Sequence, residues 1–405
     1  MKLSSSSLFA AGVLLASASL PSSLSAAPLP VPLDGIDFSA SGGATAQYNS
    51  NVLSSAGNVG GVKTKFDDYI FTFNPGLTLK YGGLPDTTLA FNYTETFYRY
   101  YTHPELNEEL SNVGFNVDRK QGAFDLTAAV SYVQNYTNTP SSVSASLSSI
   151  IRSDVIDANG HAHWDYSDKF NFDGGIDYNQ TRYLYAIGRT FQNTDTYTVP
   201  ISGYYVYTDQ LSFGAGYTYQ QTDPQPAAAN PGSPGRARYN NTLSFNTKLT
   251  KWNKLTGTAN VGIEMNHIDP DAANAQPALD TTTGSYGLNL QYAYSDPITF
   301  TLSGSRNFNT GTAGQNIQAT TVGLGVNYNY SSNIFATANL MTYTYSQYLQ
   351  QNRHDDTKTS GITVNWKPYS YLTLSAGYSY FMNSSDAPNS TYNINIITVS
   401  GSVSY

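Results

Sequence analysis

The chain contains no cysteine in 405 residues. That excludes a disulfide framework and a lipid anchor on an N-terminal cysteine, and it fits passage through an oxidising periplasm. Charge is scarce too: Asp, Glu, Lys and Arg make up 12% of the chain, against about 25% in ordinary soluble domains. The net charge of -8 excludes the basic surface that nucleic acid requires. Beyond the first residues there is no long apolar run, so the mature chain has no transmembrane helix. Catalytic signatures are absent as well: no Gly-x-Ser-x-Gly elbow, no His-Glu-x-x-His, no phosphate-binding loop. Accordingly no catalytic residue, no metal ligand set and no cofactor is assigned. Asp269-Pro270-Asp271 and His354-Asp355-Asp356 lack the spacing of a cation loop.

What is abundant is tyrosine, with 34 residues against 18 Phe. Its apolar ring and polar tip suit a lipid–water boundary. Low charge combined with a negative mean hydropathy of -0.34 describes a wall that is apolar outside and polar inside. The first residues form a targeting segment. Met1-Lys2 is the positive start, Leu8 to Leu20 the apolar stretch, and Ser25-Ala26-Ala27 the small-residue cleavage region. Residues 1–27 are therefore predicted as a signal peptide, with a cut after Ala26 as the alternative because Pro28 follows. Residues 28–405 form the barrel.

The remaining signal is alternation with period two. Leu372, Leu374, Ala376, Tyr378 and Tyr380 alternate with Thr373, Ser375, Gly377 and Ser379. Val322, Leu324, Val326, Tyr328 and Tyr330 do the same against Gly and Asn, and so do Leu211–Tyr219 and Tyr286–Tyr294. Each segment is long enough to cross a bilayer as a tilted strand. Turns alternate between short ones, such as Gly82–Asp86, Lys251–Lys254 and Lys367–Tyr371, and long polar loops, such as Asn49–Lys65, Thr139–Arg152, Thr222–Ala237 and Phe308–Gln315. Short periplasmic turns and long external loops are the build of an outer-membrane barrel. The expected fold is all-β: a transmembrane antiparallel up-and-down barrel of about 18 strands, 16 being the alternative, without a plug domain.

Two features fall outside that counting. Trp164, Trp252 and Trp366 all sit beside short turns, which predicts a periplasmic aromatic girdle. The amphipathic last strand ends on Tyr405, the kind of terminus that the outer-membrane insertion machinery reads. The other expected partners are outer-membrane lipid and lipopolysaccharide.

Asn51-Val52-Leu53, a Gly-rich spacer, and then Asp67-Asp68-Tyr69-Ile70-Phe71-Thr72-Phe73-Asn74-Pro75-Gly76-Leu77 resemble the opening of the putative β-barrel porin 2 family. The strand with Tyr93, Tyr98, Tyr100 and Tyr101 fits the same pattern. The resemblance implies an outer-membrane barrel and transfers no catalytic residue. Some members resemble components of exopolysaccharide export.

Parity along the strands suggests two lumen features. One is a polar cluster, Asp157, His161, His163, Asp173 and Asp177, facing inward; imidazoles beside carboxylates can bind zinc or change charge near neutral pH. A plain polar patch on a wet wall is the alternative reading. The second is a constriction from Thr139–Arg152, where Val143, Leu147, Ile150 and Ile151 recur at helical spacing and Arg152 would enter the lumen beside Asp157. Packing of this loop on the outer rim is its alternative. Glu95 and Arg99 fall outward by alternation, which predicts a bulge there or a position above the membrane. Inward residues are mostly Asn, Thr, Ser, Gly and Gln, with Tyr204 as one inward aromatic. Such a lining predicts a passive pore for small hydrophilic solutes with little charge selectivity. A barrel component of polysaccharide export and a surface-exposed adhesin or structural barrel are the alternatives.

Overall fold

The computed structural model describes residues 35–405 except 60–61, 64, 140–148, 185–191, 226–234, 271–275, 312–314 and 350–352. The predicted signal peptide, with Val143 and Leu147, lies outside the described residues. Alternating sequence becomes long strands. They are β1 (Ile36–Asn49), β2 (Asn58–Val59), β3 (Val62–Lys63), β4 (Asp68–Leu84), β5 (Thr87–Tyr100), β6 (Glu108–Gln121), β7 (Phe124–Thr139), β8 (Ser149–Ser167), β9 (Phe170–Tyr183) and β10 (Thr194–Thr208). There follow β11 (Leu211–Pro224), β12 (Arg238–Trp252), β13 (Leu255–Ile268), β14 (Leu279–Ser295) and β15 (Ile298–Thr310). The last are β16 (Asn316–Asn329), β17 (Ile334–Tyr348), β18 (Arg353–Tyr369), β19 (Leu372–Ser385) and β20 (Tyr392–Ser404).

Apart from the small β2–β3 hairpin, these form one 18-stranded antiparallel sheet in which each strand pairs with its neighbours in sequence. The sheet closes because β1 pairs with β20 as well as with β4. The seam is finished by the C-terminal residue: Ala40 N–H donates to the Tyr405 carbonyl at 2.9 Å and Tyr405 N–H to Ala40 at 2.8 Å. Closure removes every free sheet edge, the condition for a sheet in lipid. Strands of 13 to 19 residues exceed the roughly 9–11 needed to span a bilayer, so their ends project beyond the apolar belt.

Parity decides the faces. In β4, Tyr69, Phe71 and Phe73 point outward at 56%, 49% and 52% exposure while Asp68 and Ile70 point inward and are buried. The short turns are tight. Asp86, Lys251, Asn253 and Gly122 take positive φ in them, as reversals of this length require. Register shifts cluster beside them, at Tyr81/Leu84, Asp165/Ser167, Val206/Thr208, Leu249/Trp252, Ala293/Ser295 and Trp366/Tyr369. One further shift lies mid-strand in β17, where Leu340 and Met341 both face out, at 55% and 42% exposure.

Apolar burial gathers at one end. Val52, Ile70, Tyr100, Leu110, Ile151, Ile268, Phe308, Ile317, Tyr348, Tyr392 and Ile394 are all buried, and every one lies at the long-loop end. The barrel thus has a packed mouth there, whereas its short-turn half is lined by partly exposed polar side chains.

Candidate functional site

The lumen is built from inward parities, and its short-turn half carries the titratable cluster. On β8, Asp157, His161, His163 and Asp165 share the face opposite to Ile156, Ala158, Ala162 and Trp164; on β9, Asp173 and Asp177 face the same way. Antiparallel register sets His163 against Asp173 and Asn159 against Asp177. His163 Nδ1 lies 2.5 Å from Asp173 Oδ1 and its Nε2 lies 3.1 Å from Asp165 Oδ1. His161 Nε2 lies 2.7 Å from Asp177 Oδ1, and Asn179 donates to Asp157 at 2.6 Å. His163 thus has both ring nitrogens on carboxylates, and His161 its Nε2. No group of three or more potential ligands converges on a metal position among the described residues.

Two further residues join this cluster. Lys248 on β12 crosses two strands to reach Asp173 at 2.8 Å, and its ammonium lies 3.7 Å from the centre of the Tyr204 ring on β10. Glycine makes the crossing possible. A Cβ on Gly214 would stand 2.5 Å from the Tyr204 ring, and a Cβ on Gly175 would stand 2.1 Å from His161 Nδ1. Both side chains lie flat along the wall only because those positions are bare. The gain is a cation over an aromatic face in an otherwise aliphatic-poor lining.

The mouth is a different structure. Residues 50–57 turn into it. Asn51 is fully buried and holds the turn, donating to the Ser55 carbonyl at 2.9 Å and the Asn393 carbonyl at 3.1 Å while accepting from Ser55 N–H. Val52 then packs with Ile70 and Tyr100, and Phe66, Tyr98, Leu106, Tyr136 and Ile150 border that cluster. Asp68 is buried and accepts from the backbone of Thr102 at 2.9 Å and of His103 at 3.1 Å. On the other side Arg353 and Asp355 form a buried pair at 2.6 Å; Tyr348 donates to Asp355 at 3.1 Å and lies under the guanidinium.

The largest departure from a simple barrel is the β15–β16 hairpin. Pairing of β14 with β15 stops at Tyr286/Arg306, although β13 and β14 pair on to Ile268/Leu279. Above that point β15 parts from β14, while β16 stays paired with β17 up to Ile317/Tyr348, and the tip of the hairpin reaches the inner side of β12 and β13. Phe308 has the outward parity of Phe300, yet it is 3% exposed and its N–H donates to Glu264 at 3.1 Å. Glu264 is inward on β13. Arg238, inward on β12, donates to Thr310 Oγ1 at 2.7 Å and to the Gln315 carbonyl at 3.2 Å. Asn316 donates to Asn266 at 2.8 Å, and Asn266 in turn donates to Asn240. Small inward residues on β14, Thr281, Thr283, Ser285 and Gly287, leave the hairpin room to fold over them.

Of the predicted constriction, Val143 and Leu147 lie outside the described residues. Ile150, Ile151 and Arg152 are not in a helical loop; they belong to β8, because their β-branched, alternating sequence continues the pairing with β7 through Asn138/Ile150. Ile151 is buried at 1% exposure. Arg152 has the parity opposite to Asp157 and lies 3.4 Å from Glu108, so it does not stand beside Asp157. The described in-folded elements are instead residues 50–57 and the β15–β16 hairpin. The expected bulge at Glu95 is also absent, since β5 keeps one register against β4 and β6 throughout this stretch. Glu95 faces out and accepts from Tyr93 at 2.8 Å and Ser111 at 2.6 Å, and Arg99 pairs with Glu109. Trp164, Trp252 and Trp366 are exposed at 37%, 55% and 49%, at strand ends beside short turns.

Sequence reasoning missed Glu264, Arg238, Arg353 and Lys248. Each is a charged residue at an inward position, and that was the available signal.

No curated protein matches the chain in sequence. Among solved structures it is similar to OpdK of Pseudomonas aeruginosa with vanillate, at 9% identity and a TM-score of 0.49, over 91% of this chain and 99% of that one. It is also similar to a BenF-like porin from Pseudomonas fluorescens Pf-5, at 10% identity and a TM-score of 0.49, over 92% and 100%. The ferric citrate transporter FecA in its unliganded form is similar at 11% identity and a TM-score of 0.46, over 91% and 79%. Residues 247–405, from the end of β12 through β20, match the model of the family described as Putative beta-barrel porin 2.

Proposed function

We propose that the chain is a passive diffusion channel of the bacterial outer membrane for small hydrophilic solutes, and that it performs no catalysis. The observation that carries this reading is the two-faced closed wall. Its outer face bears Phe, Leu, Ile, Val and Tyr, and its inner face bears Thr, Ser, Asn, Gln and Gly. A closed barrel of this strand number encloses an aqueous space, and hydroxyls and amides exchange hydrogen bonds with a hydrated solute at little cost. The family match supports it. In this reading the long loops are external, the short turns periplasmic, and the tyrosines and the three tryptophans meet lipid and lipopolysaccharide at the two boundaries. The strand ending at Tyr405 is the part offered to the insertion machinery.

The test is single-channel recording of the purified barrel in planar bilayers. Discrete, ohmic conductance steps are expected. A folded, inserted barrel that gives no steps overturns the reading.

A further inference from the structure

We propose that the channel prefers cations, and that an acidic stripe on β6–β9 sets the preference; the inference rests on the channel reading above. The stripe consists of Asp118, Asp125, Asp157, Asp165, Asp173 and Asp177. All six have inward parity on four adjacent strands, and register places them close together. Asp118 pairs with Thr127, Asp125 with His163, and His163 with Asp173. Only two ammonium groups lie against them among the described residues: Lys120 at 3.4 Å from Asp125 and Lys248 at 2.8 Å from Asp173. The carboxylates therefore outnumber their cations.

Two observations separate this stripe from structural ion pairing. First, it is wet. The side chains of Asp125, Asp165 and Asp177 are 46%, 65% and 38% exposed, whereas the Arg353–Asp355 pair in the mouth is about a tenth exposed or less. Second, charge is segregated around the wall. The inward positions of β10, β11, β14, β15, β16, β17, β19 and β20 contain no acidic residue. One wall thus carries the exposed carboxylates, and of the inward charges on the other strands Glu264, Arg238 and the Arg353–Asp355 pair are buried. Fixed charges in a low-dielectric tube raise the local counter-ion concentration. Their reach is set by screening, about 30 Å at 0.01 M salt and about 3 Å at 1 M. In a lumen as wide as 18 strands enclose, the preference is therefore a low-salt property. It revises the expectation of little charge selectivity drawn from composition.

Two imidazoles stand among these carboxylates: His161 beside Asp177, and His163 beside Asp173 and Asp165 and opposite Asp125 on β7.

The experiment measures reversal potential across a tenfold KCl gradient, with the full-length protein in neutral phosphatidylcholine bilayers. Expected at low salt is a potassium-to-chloride permeability ratio several-fold above one, collapsing toward one at molar salt. Asp157→Asn with Asp173→Asn and Asp177→Asn should lower the ratio several-fold. Asp118→Asn with Asp125→Asn, which spares the Lys248 and histidine contacts, serves if the first variant fails to assemble. The outward Asp280→Asn should leave the ratio unchanged. Conductance steps with a low-salt ratio at or below one overturn the cation preference while sparing the channel. A ratio unmoved by both sets of variants overturns the assignment to the stripe. Absence of steps overturns the channel reading and this inference with it.

Discussion

Glu264 is a carboxylate in an inward position with 5% exposure, and the described residues offer it no cationic partner. Its recorded bond is from the backbone N–H of Phe308, so it fastens the in-folded hairpin to the wall. Removing the acceptor leaves that buried N–H unsatisfied, which costs about 1–3 kcal/mol. Glu264→Ala should therefore loosen the hairpin and increase open-channel current noise, while Glu264→Gln, which keeps a carbonyl acceptor, should record like the parent. Equal noise in all three proteins would show that the bond does not hold the hairpin. At this scale parity told which residues share a face, and that is why His161, His163, Asp173 and Asp177 could be grouped from sequence. The reach of Lys248 across two strands could not. It depends on wall curvature and on the bare space at Gly214, neither of which leaves a periodic trace.

Among the elements, the strand count was legible because each reversal is marked by polar and turn-forming residues, and these alternate between short and long. The inward swing of β15–β16 was not legible. A hairpin keeps period two whether it continues the wall or leaves it, and Asn307, Phe308, Asn309 and Thr310 read as an ordinary strand end. Ile150 and Ile151 gave a misleading signal, since they extend β8, where Ile150 packs at the mouth and Ile151 is buried. If the β15–β16 tip narrows the lumen, replacing Phe308–Asn316 by a short Gly-Ser turn should raise single-channel conductance at least twofold. The wall below Arg306 keeps its pairing with Tyr286, so the barrel should still assemble. Unchanged conductance in the folded variant would place the narrowest section elsewhere. Deleting residues 143–150 tests the earlier candidate by the same readout; since that segment does not include the Arg238, Glu264 and Asn266 tethers, the hairpin replacement should have the larger effect.

For the whole molecule, the packed mouth and the open polar half divide labour along the axis. Buried contacts at the long-loop end hold the in-folded pieces, and the wet half below them carries the exposed acidic stripe. Narrowing a broad lumen with its own turn and hairpin lets one wall provide both stability and selectivity. The outer face has a matching polarity. Tyrosines near the long-loop end hand their hydroxyls to polar groups beyond them, as Tyr93 does to Glu95, Tyr217 to Asn241 and Tyr378 to Asn395. Trp164, Trp252 and Trp366 all lie at the opposite end, exposed on the outer face. Trp164 stacks on Phe124 with ring centres 5.6 Å apart and meets Tyr166 edge-on at 5.1 Å, a cluster with its indole at the strand end. Because the protein has only three tryptophans, its tryptophan fluorescence reports on a single boundary. Indole favours the headgroup level, where its ring is in hydrocarbon and its N–H meets water. In vesicles of brominated phosphatidylcholine, bromine near the carbonyls should quench this emission more than bromine near the chain ends. Trp252→Phe and Trp366→Phe together should leave the depth profile of Trp164 in place. Stronger quenching from the chain ends would put the belt higher on the wall, and with it the acidic stripe nearer the bilayer centre.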